Sequence, residues 1–155
     1  MAVKFDVDVK VALDIEQRLE EMEERLGNLE PILKKQAVGL DALIQRSFQK
    51  SESPLGEAFV GLKHRDGKPL LDTGLFRRSV SVRPSRLSIK FGASGPRAAI
   101  AAFHTLGTKH IPRRSVFPVD QNGNVDFSTG RAKKWHDRFK RKVMEWVLSG
   151  NKAEQ

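Results

Sequence analysis

The chain has 155 residues, no cysteine and a formal net charge of +9, from 28 lysines and arginines against 19 acids. That length suits one domain able to bury about 70% of its unfolded surface; the missing thiols exclude disulfides and thiolate metal sites, and the basic excess favours acidic partners such as nucleic acid or an acidic protein surface. The N-terminus MAVKFDVDVK lacks the basic-then-apolar layout of a signal peptide, and no run approaches the roughly 18 apolar residues of a membrane span, so a protein made in a cytoplasm and free of membrane is expected.

Val3, Phe5, Val7, Val9 and Val11 alternate with Lys4, Asp6, Asp8 and Lys10, a period of two that predicts a half-buried strand. From about Asp14 the period changes. Ile15, Leu19, Met22, Leu26, Leu29 and Leu33 follow at spacings of four, three, four, three and four, one apolar stripe down a helix with Asp14 as its expected N-cap. A stripe this short fits either a seam between subunits or a helix lying on its own domain, and packing within the domain is the expectation. Gly27, Asn28 and Pro31 mark a break and restart. A second helix is predicted over 29–50, with Leu33, Ala37, Leu40, Leu43 or Ile44, and Phe48 facing the core.

The segment 51–68 has no steady period and reads as a long connection anchored by Phe59, Val60 and Leu62, of the kind that is often functional or mobile. His64 there reads as a solvated loop histidine. Next comes Leu70-Leu71-Asp72-Thr73-Gly74. Two readings of it stand: a catalytic carboxylate of the aspartic-protease kind, or a helix cap in which Asp72 or Thr73 serves a short helix over 74–79. Bulky Leu75 and Phe76 and then Arg77-Arg78 follow where a small residue would suit the protease, which favours the cap. Val80 and Val82, then Leu87, Ile89 and Phe91, alternate with polar residues around Pro84-Ser85, an antiparallel hairpin. A helix is predicted over 98–106, turning Ile100 and Phe103 inward and stopped by Gly107. His104 and His110 have no third ligand at metal spacing, so no zinc site is expected. The run 115–119 reads as a short edge strand because it contains Pro118.

After the turn 120–124, Ser128 or Thr129 is positioned to cap a helix running to about Leu148. Trp135, Phe139, Val143, Trp146 and Val147 share one face of it, while Lys133, Lys134, Arg138, Lys140, Arg141 and Lys142 crowd the other. That basic face fits contact with DNA or an acidic surface, or simple solvation. Charge is polar along the chain: Glu16, Glu20, Glu21, Glu23, Glu24 and Glu30 make 14–30 acidic, whereas Lys and Arg dominate from Lys109 on. A subunit with opposite ends of opposite charge can dock head to tail on its own copy.

The segment 70–80, with Asp72, Thr73, Gly74, Phe76, Arg77 and Arg78, resembles the hydrophobic-Asp-Thr-Gly-x-Leu/Phe-Arg-x-Ser segment of the virion-morphogenesis, or tail-completion, proteins of Mu-like and related tailed phages. The segment from Ala101 through Phe103, His104 and Gly107 to Ile111, Pro112, Arg113 and Arg114 is similar to that family's Ala-x-x-His-x-Phe-Gly … Ile-Pro-Ala-Arg-Pro-Phe segment, with Leu106 at the aromatic position. The order of elements agrees over about 33–147. One domain over 1–155 is expected: an N-terminal strand and acidic helix (1–30), a core (31–148) that alone carries the resemblance, and a flexible tail (149–155). The resemblance implies an α+β fold, an antiparallel sheet covered by helices. It further implies a non-enzymatic structural protein without cofactor, located in the virion at the tail or neck and assembled in the bacterial cytoplasm. Such a protein would complete the tail as a ring of identical copies, with a hexamer as candidate size, and join it to the head through other tail and neck proteins. Arg77, Arg78, Arg113 and Arg114 are its expected subunit or partner contacts, because arginine forks suit carboxylates at interfaces. A basic nucleic-acid-binding protein is the alternative.

Overall fold

The structure, a computed structural model, describes residues 9–149, with side chains from residue 13. Helix α1 (Val9–Gly27) leads through Asn28 and Leu29 into α2 (Glu30–Lys50). A long connection reaches α3 (Leu75–Ser79), which runs directly into strand β1 (Val80–Pro84). Strand β2 (Ile89–Ala93), a single 3-10 turn (Gly95–Arg97), α4 (Ala98–Leu106) and α5 (Gly130–Ser149) complete the order. The fold class is α+β, with one two-stranded antiparallel sheet in which Val80 faces Ala93 and Pro84 faces Ile89.

Helix α2 is the centre because its stripe has the helical period and no interruption. Ile32, Leu33, Ala37, Leu40, Leu43, Ile44 and Phe48 are all buried along one side. Phe48 meets Phe76 of α3 edge to face at 5.3 Å between ring centroids, a favoured aromatic geometry. The hairpin packs on one flank of α2 and α5 on the other. Val116, Phe117 and Val119, from the extended run before the 120–124 turn, enter the same core. Gly39 on α2 admits α5 closely: a Cβ there would lie 3.1 Å from Trp135 Nε1.

Several expectations change. Val9 and Val11 belong to the first turn of α1 and not to a strand, and 1–8 of that predicted strand lie outside the described residues. Asp14 is therefore well inside the helix, paired with Arg18 at 3.1 Å, and caps nothing. The run 115–119 forms no strand; its one ladder contact is the bridge between Val119 and Val125. A buried run containing Pro118 lacks one backbone donor for a regular ladder. In α4 it is Ala101 that is buried while Phe103 is 50% exposed, so the inward face is turned away from the predicted one. Helix α5 extends to Ser149, and the tail beyond it lies outside the described residues.

The apolar stripe of α1 does not pack on the domain. Ile15 is 52%, Leu19 60% and Leu26 53% exposed, and no residue from 13 to 27 is buried. Among the described residues the helix is held near its C-terminal end: Arg25 Nη1 donates to the Val147 carbonyl oxygen at 2.9 Å, and Arg86 Nε, from the hairpin turn, donates to the Gly27 carbonyl oxygen at 2.6 Å. Arg86 thus satisfies one of the free carbonyls that end a helix.

Candidate functional site

The two motif segments, about thirty residues apart in sequence, converge on one pair of adjoining hollows. The smaller, about 250 Å³, has Asp72, Thr73, Gly74 and Phe76 on one side and Arg97, Ile100 and His104 on the other. The larger, about 580 Å³, lies between the 60–65 segment and the 108–112 turn. Leu62, Arg65, His104 and Arg114 belong to both, so His104 and Arg114 form the partition.

Gly74 explains one motif position. Its φ of +71 is left-handed, the backbone state that glycine adopts without a Cβ penalty, and it starts α3. Capping by side chains is weak: Thr73 Oγ1 accepts from Leu75 N–H at 3.4 Å, and Asp72 caps nothing. Asp72 is exposed and faces Arg65 at 3.7 Å. The hollow beside it contains Arg65, Arg97 and Arg114 and no second carboxylate, so among the described residues no proton-sharing pair of the aspartic-protease kind is assembled there. Gly107 explains a second motif position: φ is +77, and a Cβ there would lie 3.3 Å from the Arg113 backbone nitrogen.

His104 stacks on Phe76 with ring centroids 6.4 Å apart, and its carbonyl oxygen accepts from Arg114 N–H at 2.7 Å. Its Nδ1 is buried without a hydrogen-bond partner. Burial, and then the nearby Arg114 guanidinium, hold the imidazole pKa below its ordinary value, so the ring sits neutral in the partition.

The four arginines proposed from sequence divide. Arg114 is 8% exposed, and its guanidinium donates to the carbonyl oxygens of Val60 at 2.7 Å and Gly61 at 3.1 Å. Arg113 pairs with Glu57 and donates to the carbonyl oxygens of Val119 at 2.5 Å and Asp120 at 3.0 Å. Arg77 Nε donates to Gln45 Oε1 at 2.6 Å on α2. Arg78 alone of the four is exposed, with a long 3.4 Å contact to the Thr73 carbonyl oxygen. Arg131 of α5 adds a further internal tie, donating to the carbonyl oxygens of Glu52 at 3.1 Å and Ser53 at 3.2 Å. The connection 51–68 is thus bolted down at its first half by arginines.

On α5, Lys133 and Lys140 both engage Asp137, at 2.6 and 3.4 Å, and Arg141 and Lys142 both engage Glu145, at 3.8 and 3.2 Å. Lys134 and Arg138 make no ion pair among the described residues and are exposed. Thr129 does not cap this helix; its hydroxyl donates to the Leu55 carbonyl oxygen at 3.1 Å.

Sequence reading missed Lys63, Arg65, Arg97 and Lys109 as lining residues. A signal existed in Lys63-His64-Arg65 and Lys109-His110, two basic clusters of similar make-up that the fold sets face to face. Among the described residues no group of histidine, aspartate and glutamate is placed to hold a metal ion, and no helix is long and apolar enough to cross a membrane. Comparison with known protein families, with curated proteins and with solved structures finds no match for this chain.

Proposed function

We propose that this chain is a self-assembling structural subunit of a phage tail or head-to-tail junction, completing the tail as a ring of identical copies and joining it to the head. The observation that carries the self-assembly is α1: a nineteen-residue amphipathic helix whose apolar stripe is open to solvent and which the domain holds by one end. Isolated helices of this length are marginal in water, and an exposed stripe gains from a partner about 1 kcal/mol per half-covered aliphatic side chain. Charge chooses the partner. Over residues 13–27, α1 carries six acids (Asp14, Glu16, Glu20, Glu21, Glu23 and Glu24) against Arg18 and Arg25, whereas α5 carries seven bases against Asp137 and Glu145. Pairing α1 with another α1 sets like charges together, while setting it near the α5 of a neighbour sets opposite charges together in a head-to-tail contact that closes into a ring when the rotation allows. The placement in a phage tail rests on the two motif segments, which line one surface in this fold.

Light scattering and electron microscopy of the purified chain test this reading. Closed multimers that dissociate in the Ile15→Ser, Leu19→Ser double variant are expected. A monomer at every soluble concentration, with no binding to phage tails lacking this component, overturns it. A second reading, DNA binding, is favoured by Lys134 and Arg138, which have no ion pair among the described residues; it requires a salt-sensitive gel shift that weakens in the Lys134→Ala, Arg138→Ala variant.

A further inference from the structure

We propose that the larger hollow, between the 60–65 segment and the 108–112 turn, binds a phosphate group, free or carried on a small molecule. Its lining contains Lys63, Arg65, Lys109 and Arg114 and three of the chain's four histidines, and not one carboxylate. Lys63 and Lys109 come from opposite walls, and neither makes an ion pair or a hydrogen bond among the described residues. His64 and His110 are likewise exposed and without side-chain partners there. Arg65 has Asp72 at 3.7 Å as a counter-charge, but Lys63 and Lys109 face each other without one among the described residues, and a multiply charged anion set between them relieves their repulsion from both sides.

Both walls are tied to the domain at one edge or closed on themselves. Arg114 holds Val60 and Gly61 by their carbonyl oxygens at 2.7 and 3.1 Å. The opposite wall is a closed turn: Thr108 N–H donates to the Ile111 carbonyl oxygen at 2.8 Å, and Thr108 Oγ1 accepts from Ile111 N–H at 3.0 Å. A ligand therefore meets cations that need little ordering of the backbone to receive it. The volume of about 580 Å³ is that of a small-molecule site. Val60, Leu62, Ile111 and Pro112 give the hollow apolar flanks that an organic body can cover. A doubly charged phosphate suits so many cations better than a single carboxylate does. A nucleic-acid strand would instead be drawn to the exposed bases of α5.

Titration calorimetry of the full chain tests the proposal, with inorganic phosphate, adenosine monophosphate and a short oligonucleotide as separate probes. The Lys63→Ala, Lys109→Ala double variant removes two exposed side chains, and thermal unfolding checks that its fold is unchanged. Saturable binding of phosphate or the nucleotide with one site per chain is expected, weakened by at least about tenfold in the double variant and unaltered in Lys134→Ala, Arg138→Ala. Tighter binding of the nucleotide than of phosphate identifies a small organic phosphate as ligand; equal binding identifies the free ion. Absence of saturable binding to either, binding of the oligonucleotide alone, or binding that survives the Lys63/Lys109 change overturns the proposal. This hollow lies apart from α1 and α5, so its failure leaves the assembly reading standing, and the converse holds.

Discussion

The connection 51–68 and helix α1 stand in inverse relation to what their sequences suggest. The connection has no regular element, yet Arg113, Arg114 and Arg131 bind its first half through ion pairs and main-chain carbonyls, and the start of α5 is pressed against it. Helix α1 has a regular element with a good apolar stripe, yet it touches the rest of the domain near its C-terminal end. Regularity and anchorage are thus separate properties. A loop is rigid when its carbonyls find strong donors, and a helix is anchored only when its stripe finds a surface.

The largest break in that contrast is expected at Gly130. Its φ is +61, and a Cβ would lie 2.5 Å from the Leu55 carbonyl carbon and 2.6 Å from the Pro54 carbonyl oxygen. Left-handed strain together with a collision against backbone predicts that Gly130→Ala lowers stability by about 3 kcal/mol, read by denaturant unfolding. A loss under about 1 kcal/mol would show that the connection is free to retreat from α5.

Arg114 comes next. Arg114→Met keeps much of the stem's volume and removes the donors to Val60 and Gly61. About 2 kcal/mol is expected from carbonyls left without their charged donor, together with faster amide exchange or proteolysis in 58–66 and unchanged protection in α2. Wild-type proteolysis in that segment would deny the clamp.

His104 supplies a pH dependence with a definite sign. Its folded pKa lies below the ordinary histidine value of 6.5, with burial as the larger cause and Arg114 as the smaller. Between the folded and the unfolded pKa the unfolded chain binds the extra proton, so stability is full above about 6.5 and is lost as pH falls through that window to the depressed pKa. His104→Gln should flatten the fall in unfolding temperature over that range. The depressed carboxylates of Asp120, bonded chiefly to Asn124 N–H, and Asp137, bonded chiefly to Lys133, act only at more acid pH. Equal slopes in the variant and the wild type would remove His104 from the account.

What sequence revealed follows the same division. The α2 stripe, the hairpin at Pro84-Ser85 and the Gly107 stop were legible because each is a local matter of period or backbone state. Val9 and Val11 in a helix were not, since a β-branched alternation loses to helix propagation when no strand among the described residues pairs with it. Nor were the internal arginines: Arg113 and Arg114 look like surface bases in sequence, and only the fold shows that a carboxylate, Glu57, and two carbonyls, of Val60 and Gly61, some fifty residues earlier wait for them. The hollows needed that same long-range closure, because Lys63 and Lys109 line one hollow from opposite walls only once 60–65 and 108–112 are brought together.

The smallest effect on stability is expected on α1, and it sharpens the contrast most. Ile15 and Leu19 are more than half exposed, so replacing both by serine removes almost nothing that the folded domain buries. Unfolding free energy should move by under about 0.5 kcal/mol, while the multimer expected above falls to monomer. Among the described residues no surface of the domain covers Ile15 or Leu19, so a loss of mass on this change is read as the loss of a contact between copies. A large stability loss without a change in mass would mean that the stripe is covered by its own chain in solution, and the head-to-tail contact would lose its apolar half. Reversing charge instead, with Glu20→Lys and Glu24→Lys, leaves the stripe intact and sets like charges against the neighbour's α5. Assembly weakened by that reversal and strengthened at high salt, where the repulsion is screened, would place the acidic helix beside a basic partner; indifference to salt and to the reversal would leave the apolar stripe as the sole determinant.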